Sequence, residues 1–385
     1  MWPLVLGAVV VGAGQAPSPV RPTAPGAATP APACRRCHQT IVDSYAGTAH
    51  QRTSTKARRA TVLGDFSPGH NLLRTRTPGV GFTMEQRADG FYQTGWDSTS
   101  GGARTVRIDL VIGSGRRGQT YLSWRNGLLF ELPVSYLTGV RRWINSPGYA
   151  DGQIDFNRLI EPRCLECHAT SFTIAADRRV RRYSENFALG VQCQRCHGDA
   201  RKHIAYQAAH PEDTTAQFIF NSRKATRDRQ VDVCALCHSG GRDEKRPAFS
   251  FRPGDSLDAF LAPEAGTDVV PDVHGNQVGL LRRSNCFRSS PAMTCSTCHD
   301  VHQAQRDLAA FVPKCLECHD VTQHPGADSI GARLTTTDCI DCHMPNRRSN
   351  TIRINTARSA TSLYFRTHEI AVYPDVAAEL MRARP

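Results

Sequence analysis

The sequence predicts a fold of mainly short helices and irregular loops, with one small antiparallel β module inserted near the start. Three observations predict this fold class. One pentapeptide, Cys-x-x-Cys-His, occurs seven times, and six of the copies fall between Cys164 and His343. The long stretch between His38 and Cys164 holds no copy and alternates apolar with polar residues around two turn signals. The remaining segments are short and broken by Gly and Pro.

The repeated pentapeptide supplies two thiols and one imidazole at fixed spacing. The copies are Cys34–His38, Cys164–His168, Cys193–His197, Cys234–His238, Cys295–His299, Cys315–His319 and Cys339–His343. This motif is the attachment signature of c-type haem, whose vinyl groups form thioethers with the thiols while the imidazole binds the iron. We therefore predict seven covalently attached haem c groups. The predicted attachment residues are Cys34, Cys37, Cys164, Cys167, Cys193, Cys196, Cys234, Cys237, Cys295, Cys298, Cys315, Cys318, Cys339 and Cys342, and the predicted iron ligands are His38, His168, His197, His238, His299, His319 and His343.

Zinc sites and disulfides are the alternatives to haem. Fourteen of the fifteen cysteines lie in the motifs, and each motif has His directly after its second Cys. Zinc sites pair two Cys-x-x-Cys knuckles without requiring His at that offset. A disulfide framework has no reason to repeat one local pentapeptide. The pattern favours haem.

The spacing of the motifs predicts where the core lies. Six motifs between Cys164 and His343 leave about 30 residues for each haem, fewer than a side-chain core usually needs. We therefore predict a multihaem cytochrome c in which helices and loops wrap around stacked haems that form the interior.

Each motif supplies one ligand to its iron, and the second ligand either comes from elsewhere in the chain or is absent. Outside the motifs, the chain contains eight histidines. We predict six of them as second iron ligands: His50, His203, His302, His368, His274 and His324. For His70 and His210 two interpretations remain, a second iron ligand or a surface residue.

The position of His302 limits which iron it can bind. Two imidazoles on opposite faces of one iron require backbones about 12 Å apart, whereas three residues of helix span only about 5 Å. His302, three residues after His299, is therefore expected to serve a neighbouring haem. The same is expected of His203, which follows His197 by six residues.

The β module is predicted from turn residues between alternating segments. Asp89-Gly90 and Asn126-Gly127 are hairpin signals, and the segment from Val106 to Ile112 alternates as a strand does. We interpret residues 80–140 as a scaffold and not a site.

Elsewhere the sequence predicts helices at Ala200 to Ala209, Asp300 to Ala310 and Asp375 to Arg382. Residues 240–285 contain four prolines and no motif, which predicts a long surface loop.

The N-terminus predicts export. Leu4 to Gly14 is an apolar run of signal-peptide length, with a cleavage site ending at Ala16. The predicted organisation is a signal peptide (1–16), a Pro/Ala-rich linker (17–33), a first haem segment (34–60), a β-rich insertion (61–150), a six-haem region (151–345) and a C-terminal tail (346–385) with a candidate ligand. The expected location is periplasmic or extracellular, and membrane association is expected only through an uncleaved N-terminal segment.

The net charge of +12 does not predict nucleic-acid binding here. Each ferric haem with two propionates carries about one negative charge, which offsets about seven of the positive charges. Arginine is suited to pair with propionates. No nucleic-acid motif is present, and the expected partners are redox proteins.

Cys286 is the one cysteine outside the motifs. A buried free thiol is the simplest interpretation. A ligand to an otherwise open haem, a metal or thiol-redox site, and an intermolecular disulfide are the alternatives.

Several segments resemble exported multihaem c-type cytochromes related to the tetrahaem cytochrome c family of ammonia oxidisers. The resemblance rests on Cys34 to His50, Cys193 to His203, Cys295 to His302 and Cys339 to Pro345. It implies electron transfer and mostly bis-histidine ligation, with one five-coordinate haem in some relatives. The chain departs from that family in having seven motifs and a β insertion. Ammonia-forming nitrite reductases are less similar, because no Cys-x-x-Cys-Lys occurs.

Three functions are compatible with these features. The first is a heptahaem cytochrome that passes single electrons between redox partners. The second is an oxidoreductase acting on a small nitrogen or sulfur compound at one open-coordinate haem. The third is a subunit of a larger extracellular electron conduit.

Overall fold

The computed structural model describes residues 31–175, 182–263, 270–324, 339–355 and 360–383. The predicted signal peptide lies outside the described residues, and so does most of the predicted linker. The last residues of that linker, 31–33, already belong to the first helix.

The strands are short and concentrated in the first half of the chain. They are β1 (Ser54–Lys56), β2 (Leu72–Arg74), β3 (Val80–Arg87), β4 (Gly90–Asp97), β5 (Gly102–Ile108), β6 (Leu110–Ile112), β7 (Gly118–Arg125), β8 (Leu128–Glu131), β9 (Val134–Leu137), β10 (Arg142–Asn145), β11 (Arg158–Leu159), β12 (Ala169–Ile174), β13 (Tyr183–Leu189), β14 (Asn346–Asn355) and β15 (Ala360–Arg366).

The described helices are mostly one to three turns long. They are α1 (Ala31–Tyr45), α2 (Pro162–His168), α3 (Cys193–His197), α4 (Arg201–Ala209), α5 (Arg227–His238), α6 (Gln277–Arg283), α7 (Asn285–Ser289), α8 (Val312–Leu316), α9 (Cys339–His343) and α10 (Pro374–Ala383). Single 3-10 turns occur at Ser222–Lys224, Leu257–Ala259, Cys295–Thr297, Ala309–Phe311 and Val321–Gln323.

Two antiparallel sheets form the β module. One has the strand order β2-β3-β4-β5. The other runs β1-β6-β7-β8-β11, with β9 pairing both β7 and β10. Both predicted hairpins are confirmed: β3 pairs β4 around Asp89, and β7 pairs β8 around Asn126-Gly127. Asn126 and Gly127 have φ of 52° and 76°, the left-handed values that this two-residue turn requires.

The predicted strand from Val106 to Ile112 is wrong in one respect, because it is two strands in different sheets. β5 ends at Ile108 and β6 begins at Leu110. Between them, the Asp109 N–H donates to the carbonyl oxygen of Leu122 at 2.8 Å, and its carboxylate accepts from the N–H of Trp124 at 2.7 Å. Asp109 thereby redirects the chain from one sheet to the other.

The space between the two sheets is a side-chain core. Phe82, Met84, Tyr121 and Phe156 are fully buried there. Gln93 is also fully buried, and its amide both donates to the carbonyl oxygen of Val134 at 2.7 Å and accepts from the Val134 N–H at 3.2 Å. A buried amide costs little stability when both its oxygen and its nitrogen are hydrogen-bonded. Gln93 therefore joins the two sheets at little cost in the free energy of folding.

A second apolar cluster lies on the other side of the β module. Leu122 and Leu129 of the sheet pack there with Leu165 of α2 and Phe172 of β12. The β module therefore positions a haem motif directly, because Leu165 is the residue after Cys164.

The prediction of a surface loop at residues 240–285 is wrong for much of that segment. Phe251, Leu257 and Phe260 are buried against Val231 and Leu236 of α5. The four prolines exclude long helices but not apolar contact, so the segment packs as irregular chain. The described part of the second half thus has a side-chain cluster around α5 in addition to its haem motifs.

Two of the three predicted helices are confirmed, by α4 and α10. The predicted helix from Asp300 to Ala310 is wrong, because only Ala309 onward forms a 3-10 turn. The Asp300 carboxylate accepts from the His302 N–H at 3.0 Å and from the Gln303 side chain. A side-chain turn of this kind competes with helix formation.

The short helices, small antiparallel sheets and loops agree with the predicted fold class. Within the residues that the structure describes, the helices are too short or too polar to cross a lipid bilayer.

Candidate haem sites

Every Cys-x-x-Cys-His motif lies on a helical turn. Five coincide with α1, α2, α3, α9 and the end of α5, one begins a 3-10 turn, and one spans the end of α8. Residues three apart share one side of a helix, so a helical turn aims both thiols of a motif the same way. All fifteen cysteines are free thiols, which leaves each motif available for thioether formation.

Five histidine pairs bring a motif imidazole opposite a second imidazole. Their ring centres are separated by 6.4 Å (His38 and His203), 6.1 Å (His50 and His238), 6.1 Å (His197 and His302), 6.2 Å (His299 and His368) and 6.2 Å (His324 and His343).

These separations are too long for direct contact between rings and suit an intervening metal. An iron bonded to two opposed imidazoles through bonds of about 2 Å holds the ring centres about 6 Å apart. The five values span 6.1 to 6.4 Å although the partners come from unrelated segments. The donor set of these sites therefore fits iron held between two histidines.

Hydrogen bonds at Nδ1 orient several of the motif imidazoles. Carbonyl oxygens lie at this atom of His197 (Phe220, 3.0 Å) and His343 (Ala371, 2.9 Å). An acceptor at Nδ1 keeps the proton there and leaves Nε2 free as a metal ligand.

Side-chain oxygens play the same part at two further motifs. The Thr53 hydroxyl lies 2.8 Å from Nδ1 of His168, and the Gln277 amide oxygen lies 3.2 Å from Nδ1 of His238. The second imidazole of one pair is held likewise, because Nδ1 of His203 lies 2.8 Å from the carbonyl oxygen of Gln217.

Burial keeps two of the non-motif imidazoles neutral. It lowers the pKa of His50 to about 4, with the nearby His238 acting in the same direction. Burial also lowers the pKa of His368 to about 4, and the nearby His299 adds to the effect. Only a neutral imidazole has a lone pair for a metal, so both residues are in the binding form at neutral pH.

Three of the second imidazoles follow one motif in sequence but face the histidine of another. His203 follows the third motif and faces His38, His302 follows the fifth and faces His197, and His324 follows the sixth and faces His343. The Ser44 hydroxyl holds the His302 segment by donating to its carbonyl oxygen at 2.9 Å. His302 and His203 thus face the histidines of neighbouring motifs, which is the arrangement expected from their positions in the sequence.

His50 is presented by a turn directly after α1. The Thr48 hydroxyl donates to the carbonyl oxygen of Tyr45 at 2.8 Å and accepts from the Gln51 N–H at 3.2 Å. The Tyr45 hydroxyl donates to the carbonyl oxygen of Val191 at 2.6 Å. This turn fixes His50 toward the fourth motif.

The remaining non-motif histidines differ in position. His274 lies near His168, whose pKa is lowered by burial and further by His274. His210 stacks on Tyr206 with ring centres 4.2 Å apart. His70 is exposed at the β module, close to Asp65. His210 and His70 face no motif histidine among the residues described.

Sulfur atoms of different motifs approach one another closely. Hydrogen bonds link the thiols of Cys34 and Cys193, of Cys167 and Cys237, and of Cys234 and Cys295. In the attached protein these sulfurs would be thioethers, which cannot donate, but their proximity is a property of the backbone. It brings the attachment edges of neighbouring haem sites together.

Longer-range electrostatic interactions continue this series. Cys196 interacts electrostatically with Cys234, Cys298 with Cys315, and Cys315 with Cys339. Cys286, the cysteine outside the motifs, is partly buried and lies near both Cys298 and Cys315.

A buried ionic cluster, here called the Glu166 cluster, joins three motifs. Glu166 of the second motif pairs with Arg163 at 2.8 Å and with Arg195 of the third motif at 3.2 Å. Its other contact is the N–H of Phe249, which donates at 2.7 Å. Arg163 in turn donates at 2.6 Å to the carbonyl oxygen of Leu236, which lies within the fourth motif directly before Cys237.

Sequence reasoning missed the residues that hold these sites in place. Thr53, Gln277 and the Glu166 cluster act on haem motifs from distant parts of the chain. Their residue types are common, and no local pattern distinguishes them. The supporting element that the sequence did indicate is the Thr48-Ala49-His50 segment, which follows the helix of the first motif.

Comparison with known proteins supports the same class of protein. Residues 148–198 match the family model "Cytochrome c554 and c-prime". The solved structure described as "Crystal Structure of Outer Cell Wall Cytochrome OcwA" is similar over 91% of this chain and 81% of its own, at 13% identity and a TM-score of 0.56. An undecaheme cytochrome from the S-layer of Carboxydothermus ferrireducens matches over 92% of this chain and 53% of its own, at 15% identity and a TM-score of 0.43. No curated protein matches.

The fold and the sites define a multihaem c-type cytochrome. The family model covers only the segment around the second and third motifs. The likeness to the outer cell wall cytochrome extends to the fold of nearly the whole chain.

Proposed function

We propose that this chain is an exported heptahaem c-type cytochrome that carries single electrons between redox partner proteins. The observation that carries the proposal is the set of five imidazole pairs with ring centres 6.1 to 6.4 Å apart. An iron with two histidine ligands has no position for a substrate, and such haems serve electron transfer at low potential. His274 is proposed as the sixth second ligand, for the iron at His168.

The contacts between motif sulfurs favour one order of electron transfer. Hydrogen bonds between thiols connect the first motif to the third and the fourth to the fifth, and an electrostatic interaction between Cys196 and Cys234 connects the third to the fourth. They continue from the fifth through the sixth to the seventh, and the second motif joins as a branch at the fourth. We propose a single line of haems with one branch.

The residues of the chain contribute to this transfer by position. Haem supplies the redox chemistry when it is attached, and the protein sets spacing, water access and axial ligation. The exchanged histidines, such as His302, force neighbouring haem sites together because each belongs by sequence to one motif and by position to another.

Partners and location are proposed on two grounds. The N-terminal apolar run and the c-type attachment motif both favour export. The similar solved structure with a TM-score of 0.56 is an outer cell wall cytochrome, and the cell wall is a setting in which an exported electron carrier would meet other redox proteins. A relation to the tetrahaem cytochromes of ammonia oxidisers is proposed for the segment around the second and third motifs.

Spectroscopy of one variant tests the ligand exchange. The protein is produced in a host competent in cytochrome maturation, and intact mass should show seven haems. In His302→Ala, the haem next to His197 should lose a ligand and become high-spin. Removing Cys193 and Cys196 as well should abolish the new high-spin signal. A high-spin haem that instead disappears with Cys295 and Cys298 would overturn the exchange, and a mass without haem would overturn the function.

A further inference from the structure

We infer that the chain supplies no second histidine to the haem attached at Cys315 and Cys318, and that this haem binds a small neutral molecule from solvent. The inference rests on the proposed function, because it requires haem at that motif. It adds to that function a ligand-binding site at one identified position.

The first argument is a comparison of two identical motifs. Cys164-Leu165-Glu166-Cys167-His168 and Cys315-Leu316-Glu317-Cys318-His319 share all five residues. Leu165 is 1% exposed, whereas Leu316 is 40% exposed. The same pentapeptide is therefore built into the interior in one case and lies at the surface in the other.

The environments of the two histidines differ in the same way. His168 is close to the Thr53 hydroxyl and to His274. His319 is exposed, and among the described residues its imidazole makes neither a hydrogen bond nor a ring contact. The other five motif histidines each face a second imidazole.

The second argument is the position of every other histidine, all fifteen of which lie in the described residues. Five non-motif histidines face other motifs and His274 lies near His168. His210 is stacked on Tyr206, and His70 lies beside Asp65 at the β module. His324, five residues after His319, is turned to His343. No histidine remains for His319.

Several other residues that can bind iron are buried elsewhere or paired, and Cys286, which lies near Cys315, is tested by mutation below. Met84 is fully buried in the core of the β module, and Met293 packs against the α5 cluster. Lys314 directly precedes Cys315 and pairs with Glu317 at 2.7 Å. The sequence ranges that the structure does not describe contain no His, Lys or Cys, and Met1 is their one methionine.

The surroundings favour a neutral ligand over an anion. Beside His319 in the chain, Glu317 is paired with Lys314, and the Asp320 carboxylate accepts from the Thr322 N–H at 2.9 Å and its hydroxyl at 2.8 Å. This segment offers no surplus of positive charge to concentrate anions. The expected class is a small neutral molecule with a lone pair, for which carbon monoxide is the probe.

The site lies within the proposed line of haems and not at a distance from it. Cys315 is near Cys298 of the fifth motif and Cys339 of the seventh. The haem that binds the molecule would therefore exchange electrons with both neighbouring haems. Because this haem is attached through Cys315 and Cys318 alone, replacing these two cysteines removes it and leaves the other six haems in place.

The test uses the full-length protein with seven haems established by intact mass. After reduction, wild type should bind one carbon monoxide per chain, and the oxidised protein should show one high-spin haem by electron paramagnetic resonance. Cys315→Ala with Cys318→Ala should carry six haems, bind no carbon monoxide and lose the high-spin signal. His302→Ala should bind two, as the positive control.

Several results would overturn the inference while leaving seven haems and electron transfer intact. One is wild type that is entirely low-spin and binds no carbon monoxide; this measurement needs no variant to fold. Another is carbon monoxide binding that persists in the double cysteine variant. A third is a low-spin sixth haem that becomes high-spin in Cys286→Ser or Met381→Ala, which would identify the hidden ligand. Fewer haems by mass would instead contradict the proposed function.

Discussion

Replacing Glu166 by Gln should destabilise the protein far more than the same change at Glu317. Both residues are the third position of the same pentapeptide, directly before the second cysteine, and both pair with a basic residue three positions earlier. The Glu166 side chain is 3% exposed and its second partner, Arg195, is 8% exposed. The Glu317 side chain is 56% exposed.

The magnitude follows from what the change leaves behind. Glutamine keeps the shape of the side chain but leaves two buried guanidinium groups without a counter-charge. Removing one partner of a buried ion pair costs about 3–5 kcal/mol, whereas an exposed pair contributes about 0–1 kcal/mol. The expected difference between the two variants is therefore at least about 2 kcal/mol in the free energy of unfolding.

The assay is guanidinium denaturation of the haem-loaded proteins, followed by far-ultraviolet circular dichroism. Haem content by mass must be equal in wild type and both variants. Equal stability of Glu166→Gln and Glu317→Gln would refute the reasoning. It would mean that other anions, such as haem propionates, already balance Arg163 and Arg195.

Three further results are expected. Phe172→Ala should cost about 3–5 kcal/mol in the same denaturation assay, because Phe172 is 1% exposed between apolar neighbours; a loss below about 1 kcal/mol would contradict this packing. Gly127→Ala should lower the free energy of unfolding by about 1 kcal/mol, because Gly127 has a φ of +76°. Gly139→Ala should cost less, because Gly139 has open space around it and no left-handed φ. His203→Ala should make the haem of the first motif high-spin by electron paramagnetic resonance, whereas His210→Ala should leave all spin states unchanged; the reverse result would show that the two histidines have been assigned wrongly.

The sequence was most informative where chemistry depends on a local pattern. The Cys-x-x-Cys-His motif is recognisable because haem attachment needs those residues at that spacing. Asn126-Gly127 is recognisable for a similar reason, since few residues adopt the left-handed turn that joins β7 to β8. Both features are fixed within five residues, so they can be predicted without knowledge of the fold.

Features set by distant partners could not be predicted in this way. The two identical Cys-Leu-Glu-Cys-His motifs have the same propensities, yet Leu165 is buried beneath the β module and Leu316 is exposed. The segment after His299 has helical residues, but the Asp300 side chain takes its free N–H groups instead. In each case the outcome was decided by an interaction that the local pattern does not contain.

The two halves of the molecule differ in how they are held together. The β module has a core of its own, in which Phe82, Tyr121 and Phe156 are fully buried between two sheets. In the described part of the second half, side chains form a smaller cluster around α5, while segments far apart in sequence meet as paired imidazoles. Such pairs attract each other little without a metal, because two neutral imidazoles with ring centres 6 Å apart make no direct contact.

An iron between two exchanged histidines therefore acts as a cross-link between segments as well as a redox centre. His302 and His197 are separated by more than a hundred residues, and His368 and His299 by nearly seventy. Closing loops of this length costs conformational entropy, and metal–ligand bonds can offset that cost. The same exchange that brings neighbouring haem sites into contact thus also stabilises the fold that spaces them. A histidine supplied from within its own motif segment could do neither, which gives a physical reason for the distribution of second ligands along the chain.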